Sequence, residues 1–244
     1  MKYFFLFIIS AVFFSCSTDD DELIKHATIK LNFTQNWDET PVTSEDLSRT
    51  KFTNKLGTKL TIDSLRYVIS KIIFTDAGGD STIFKTHYLV NLEDSKSLTP
   101  SLSEKISEGI YKVSMTFGTA LNDIDTKKSD KSDKLNSDYH LIKMSGTYLD
   151  STNVYSKFNY GMIHTFNPKT NKTEESSFSV ELGVISIKND ATIEIKMNIA
   201  EWFKNPKNWN LNELNTDLTK NYEAQKIMFE NGKKGVFSLG AISQ

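Results

Sequence analysis

The chain has 244 residues with 29 basic and 31 acidic side chains, and its formal net charge of −2 excludes the broad positive field of a nucleic-acid-binding surface. Hydrophobic residues make up 38 %, enough to fill a sizeable core. The single cysteine excludes an internal disulfide, so packing must stabilise the fold.

The first element is an export signal. Lys2 precedes an apolar run from Tyr3 to Phe14, interrupted only by Ser10 and closed by Ser15 and Cys16. The run is shorter than the ~20 apolar residues of a bilayer-spanning helix, and no second run of this kind follows, so no integral membrane domain is expected. Cys16 ends the signal after a small residue, in the manner of a bacterial lipobox; an ordinary signal peptide with an incidental cysteine is the alternative. The lipobox reading makes residues 1–15 a lipoprotein signal peptide and Cys16 the lipidated first residue. Asp19, Asp20, Asp21 and Glu22 then form a solvated acidic tether, so that residues 16–26 link the lipid to the domain. This tether resembles that of Bacteroidota-type surface lipoproteins. At about 0.8 kcal/mol per buried methylene, several acyl chains hold a domain at a membrane without a spanning helix, which places it at the outer membrane or cell surface.

Residues 27–244 read as one domain, with no internal repeat or interrupting linker. Period-two alternation dominates it. Ala27, Ile29, Leu31 and Phe33 share one strand face, as do Leu65, Tyr67, Ile69 and Ile73, and then Tyr111, Val113, Met115 and Phe117. Gly78-Gly79, Gly109, Gly146 and the stretch NPKTNKT (167–173) supply turns. Residues 122–138 are charged and free of aromatics, a composition that predicts a disordered loop. Next comes DYHLIKMSGTYLD, a strand that puts His140, Ile142, Met144, Gly146 and Tyr148 on one face. After DSTNVYSK, a hairpin connection, FNYGMIHTF puts Phe158, Tyr160, Met162, His164 and Phe166 on one face. Ile193, Ile195, Met197 and Ile199 form another strand face. A short helical turn broken by Pro206 follows, then a helix carrying Leu218, Tyr222 and Gln225 to Phe229 with Gly232 just past its end, and GVFSLGAIS as a last strand. The fold class expected is all-β, an antiparallel β-sandwich with a short helical C-terminal elaboration.

The catalytic signatures of zinc proteases, phosphate-binding loops and serine hydrolases (HExxH, a Gly-rich phosphate loop, GxSxG) are absent, and the only cysteine is committed to the N-terminus. A non-catalytic protein is therefore expected. Each strand of the predicted hairpin carries a histidine and a methionine: His140 with Met144, and His164 with Met162. Imidazole and thioether together suit copper, Cu(I) in particular. Histidines hydrogen-bonded within a core and gap-filling methionines account for the same pattern, and spacing leaves both readings open. Trp37 and Trp202 read as packing residues rather than a sugar platform, and Asp38, Glu39 and Asp63 lack the dense spacing of a calcium loop.

In order along the chain, IKLNFTQNWDETPV, NKLGTKLTIDSLRYVISKIIF, YHLIKMSGTYLD, IEIKMNIAEWFKNP and AQKIMFENGKKGVFSL resemble the MbnP-like proteins, from about Thr28 to Leu239. These are exported β-rich domains, often lipoproteins, grouped with copper-binding proteins of methanobactin-associated copper acquisition. The resemblance implies copper capture and handover in the envelope, with an outer-membrane transporter as partner. It places His140 at the histidine of the family's GYH segment and His164 where a second histidine follows the next strand. Met144 or Met162 would complete the set. The sequence departs from the family pattern at Gln35, where histidine is frequent, and in residues 122–138, which lack the family's tryptophans. Gln35 is a much poorer copper ligand than imidazole. Two other readings stand beside copper: a structural or ligand-recognition lipoprotein that keeps the fold without the metal, and an envelope glycan-binding or hydrolytic module.

Overall fold

The computed structural model describes residues 25–123 and 140–244. Cys16, most of the tether and nearly all of the charged stretch 122–138 lie outside these residues. No helix among the described residues is long and apolar enough to cross a membrane.

In chain order the strands are β1 (His26–Ala27), β2 (Ile29–Trp37), β3 (Thr40–Val42), β4 (Phe52–Thr53), β5 (Lys59–Leu60), β6 (Ser64–Asp76), β7 (Ser81–Asn91), β8 (Ile106–Ser107) and β9 (Gly109–Phe117). They continue as β10 (His140–Leu149), β11 (Tyr155–Ile163), β12 (Thr165–Asn167), β13 (Lys172–Glu174), β14 (Phe178–Ile187), β15 (Ala191–Asn198) and β16 (Phe237–Ser243). One α-helix, α1 (Tyr222–Gly232), precedes β16. The architecture is the expected all-β sandwich: an eight-stranded sheet around β6 packs against a four-stranded sheet ordered β16-β15-β2-β3. The pairing is antiparallel except between β2 and β15, which run parallel from Ile29↔Ala191 to Asn36↔Asn198.

Alternation sets which side chains fill the space between the sheets. Phe33 of β2 meets Tyr67 of β6 edge-on at 6.4 Å, and Phe237 of β16 lies 5.9 Å from Tyr67 and 5.5 Å from Phe117 of β9. Each such aromatic pair contributes roughly 0.5–1.5 kcal/mol beyond the area it buries. The inner faces expected of β2, β9 and β15 are all buried.

β6 departs from the expected alternation. Its first four residues pair with β10, seven of its last eight with β9, and the register slips between Ile69 and Lys71. The extra residue inverts the side-chain alternation beyond it. Ile72 and Phe74 are therefore fully buried and Ile73 is not, which corrects the expected face of Leu65, Tyr67, Ile69 and Ile73. Gly146 is also corrected: it lies inside β10 rather than in a turn. A Cβ there would come within 1.9 Å of the Thr61 carbonyl oxygen and 2.7 Å of the Phe158 ring, so the strand crosses its neighbours only where there is no side chain.

The C-terminal elaboration closes the open edge of β11 through one side chain. Gln225 of α1 donates from Nε2 to the Gly161 carbonyl at 2.8 Å, and its Oε1 accepts the Ile163 N–H at 2.9 Å. This pair of bonds reproduces what a neighbouring strand would offer. Nε2 also reaches the Leu218 carbonyl at 3.0 Å. Asn231, fully buried, ties the same helix to the Trp202 and Lys207 carbonyls at 2.8 and 2.9 Å. Replacing Gln225 with Ala leaves a buried C=O and a part-buried N–H of β11 without this partner, and should cost about 2–4 kcal/mol in urea denaturation. A loss below about 0.5 kcal/mol would show that the edge is closed by other means.

Candidate functional site

The predicted ligands sit where β6 exchanges β10 for β9. The Gly118 N–H donates to the Val68 carbonyl at 2.8 Å, which holds the end of β9 against β6. Just beyond it, the Thr119 carbonyl faces His164. Nδ1 of His164 accepts the Ser176 N–H at 3.0 Å, so the ring proton resides on Nε2, which donates to Thr119 O at 2.7 Å. The His164 side chain is only 5 % exposed, and Glu175 lies 3.3 Å from Nδ1. Burial pushes the Glu175 carboxyl up. Hydrogen bonds from Ser177 and the Leu121 backbone outweigh it and hold the group below the usual carboxylate range. His164 thus spends both ring nitrogens tying the segment after β9 to the segment before β14.

His140 begins β10 at a second irregularity. It pairs with Ile163, whereas Ile142 pairs with Met162, so one extra residue of β10 separates them. Cross-strand partners share a face, and Ile163 and Met162 point to opposite faces. His140 is therefore on the face opposite Ile142, Met144 and Met162, which corrects the single face expected from spacing. Its ring covers Gly161, where a Cβ would approach Cδ2 and Nε2 to 3.0 Å. Met144 and Met162 point into the core and are 1 % and 0 % exposed. They pair with Tyr160 and Ile142 and so sit diagonally across the hairpin.

Gln35 also faces the core. It is buried on β2, and its Nε2 donates to the Tyr67 hydroxyl at 3.2 Å, a bond from one sheet to the other. Burial drives the Tyr67 phenol well above its ordinary range despite that bond, so Tyr67 remains a neutral partner. A copper ion does not fit this arrangement. One imidazole is committed to the backbone, both thioethers belong to the core, and the second imidazole is on the other face. Among the described residues, no group of three or more His, Cys, Asp or Glu side chains is placed to hold a metal ion.

Two cavities open at the poles of the sandwich. One, of about 530 Å³, lies beside β1 between the β6–β7 turn and β8–β9, and is lined by His26, Asp76, Lys105 and Tyr111 among others. The other, of about 330 Å³, lies at the far end of β2 and is lined by Trp37, Asp38, Asn54, Lys55 and Lys204 among others. Sequence reasoning missed Asn54. Its signal is the Asn-x-x-Gly spacing to Gly57: Asn54 Oδ1 accepts the Leu56 and Thr58 N–H groups and folds the turn over the cavity. Trp37 and Trp202 are packing residues, as expected. Trp37 stacks on Phe52 at 4.9 Å, and Trp202 is fully buried 5.5 Å from Phe117.

A search of curated protein sequences returned no match. Among solved structures, MbnP from Methylosinus trichosporium is similar to this chain at 10 % sequence identity and a TM-score of 0.43, over 74 % of this chain and 78 % of that one. The family profile described as MbnP matches residues 26–226. With that match spanning the sandwich from β1 into α1, the chain belongs to the MbnP family.

Proposed function

We propose that this protein is a non-catalytic binding domain held at the outer membrane or cell surface by a lipidated Cys16, and that it keeps the MbnP fold without a copper centre at His140, His164, Met144 and Met162. The observation that carries the reading is the state of His164. An imidazole that accepts from one backbone N–H and donates to one backbone carbonyl has no lone pair left for a metal. Gln35 in the core supports it, because an amide bonded to Tyr67 stands at the position where the resemblance often places a histidine.

Copper capture and handover to an outer-membrane transporter is the competing reading, and it draws on family membership. For it to hold, His164 must leave Thr119 and Ser176, and His140 must change faces. Both moves break hydrogen bonds or strand register at the junction of β6, β9 and β10.

Titration of the full-length chain with Cu(I) against a competing chelator separates the two. Wild type, His140→Ala and His140→Ala/His164→Ala should behave alike, with no site tighter than about 1 μM. One tight equivalent in wild type that is lost in both variants would establish the copper reading instead. For the anchor, Cys16→Ser should move the protein from the membrane fraction to the soluble fraction of expressing cells. Retention of the variant in the membrane would show that another feature holds it there.

A further inference from the structure

We infer that two copies of this chain pair through the free edges of β7, antiparallel and centred on position 86, with Ile83 of each copy opposite Leu89 of the other. The inference goes beyond the binding role proposed above and holds whether or not the domain carries copper. β7 is eleven residues long and borders the large sheet, since Arg66 and Tyr67 of β6 pair with β10 on one side and with β7 on the other. At one end of this pairing the Asp76 N–H donates to the Asp80 carbonyl at 2.9 Å, and at the other the Leu92 N–H donates to the Leu65 carbonyl at 3.0 Å. Even-numbered positions from 80 to 92 therefore bond toward β6. Positions 83, 85, 87 and 89 turn their backbone groups to the outer edge, where no described residue bonds them.

A long open edge invites another strand, and proteins block the edges they do not use. The other edges of the two main sheets are blocked. Gln225 closes β11, and β3 carries Pro41. β14 is bulged at Gly183 and covered by Gln244, whose Nε2 donates to the Ser186 carbonyl at 2.6 Å and whose Oε1 accepts the Lys188 N–H at 2.7 Å. The register of β16 on β15 shifts between Ile193 and Ile195. β7 is capped only at its last residue, where Ser97 Oγ accepts the Asn91 N–H at 2.8 Å and donates to the Asn91 carbonyl at 2.9 Å. It contains no proline.

The side chains of this edge select a second copy as its partner. Ile83 and Leu89, 50 % and 38 % exposed, point to the outer face of the sheet with Lys85 and His87 between them. They are symmetrically placed about position 86, so a two-fold axis there sets Ile83 opposite Leu89 twice, an isologous contact. Lys85 then faces His87 of the second copy, and the two lysines are not directly opposed. The same register joins positions 83, 85, 87 and 89 in hydrogen-bonded pairs, about eight new backbone bonds. A two-residue slip one way opposes Lys85 to Lys85, and the other way opposes Ile83 to the capped Asn91. A one-residue slip meets backbone groups already bonded to β6. The chain enters at His26 beside Asp76 and Ser81, at the start of β7, so a lipidated pair lies with β7 along the membrane plane.

The test is sedimentation of the full-length chain in detergent, with micelles in excess over protein. Wild type should show a reversible monomer–dimer equilibrium with a Kd below about 100 μM. His87→Pro removes an N–H that faces the open edge and spares the bonds to β6. Leu89→Lys replaces an exposed apolar contact with a charge. Each should weaken dimerisation at least about tenfold while melting stays cooperative. Val184→Lys, at an exposed position on β14, should dimerise as wild type does. Register is read by oxidation: chains with Lys85→Cys mixed with chains with His87→Cys should cross-link faster than either alone, with wild type, which keeps only Cys16, as the blank. The inference is overturned if wild type stays monomeric to about 200 μM, or if Leu89→Lys or a cooperatively melting His87→Pro dimerises as wild type does. Loss of the dimer in Val184→Lys, or no faster cross-linking in the mixture, also overturns it. The Cu(I) titration decides the copper question separately.

Discussion

β6 has more backbone to pair than one neighbour can supply. Thirteen residues long, it takes β10 along its first third and β9 along the rest, and the hand-over requires an extra residue near Ser70. Several features follow from that constraint. Alternation inverts beyond the bulge, Gly118 and Thr119 are brought against Val68, and the starts of β10 and the end of β11 gather at the same junction. The large sheet thus divides at the place where the predicted ligands lie, and the polar groups freed by the division need partners. His164 supplies two of them.

The sandwich depends on its aromatic core and on buried amides that stand in for backbone partners. Gln225 closes β11, Asn231 ties down the chain around Trp202, and Gln35 bonds to Tyr67 between the sheets. None of these requires a metal. The two backbone bonds of His164 would be lost in most substitutions, so the side chain has a structural role in the sandwich.

How much of this could be read from the sequence divides along the same line. Strands without a bulge in the relevant stretch, such as β2 and β9, show their buried faces by alternation alone, because a period of two is a local property. β6 and the start of β10 do not, since one inserted residue moves every later side chain to the other face and no residue type announces it. That is why alternation places Ile73 and His140 on faces they do not occupy. The parallel pairing of β2 with β15 was equally hidden: alternation says which face is buried, not which strand lies alongside. Gly146 reads as a turn residue in the sequence because the close approach of Thr61 and Phe158 exists only after folding. The distal cavity was illegible for a similar reason, as Asp38, Asn54 and Lys204 come from three separate parts of the chain.

The central claim is that His164 is a backbone clamp and not a copper ligand. The most direct measurement is the ring ¹⁵N spectrum of His164 in the full-length chain, before and after one equivalent of Cu(I). The clamp predicts a neutral imidazole protonated on Nε2, with a slowly exchanging proton bonded to Thr119 and shifts unchanged by copper. Loss of the Nε2 proton, or a large copper-induced shift of either nitrogen, would contradict it.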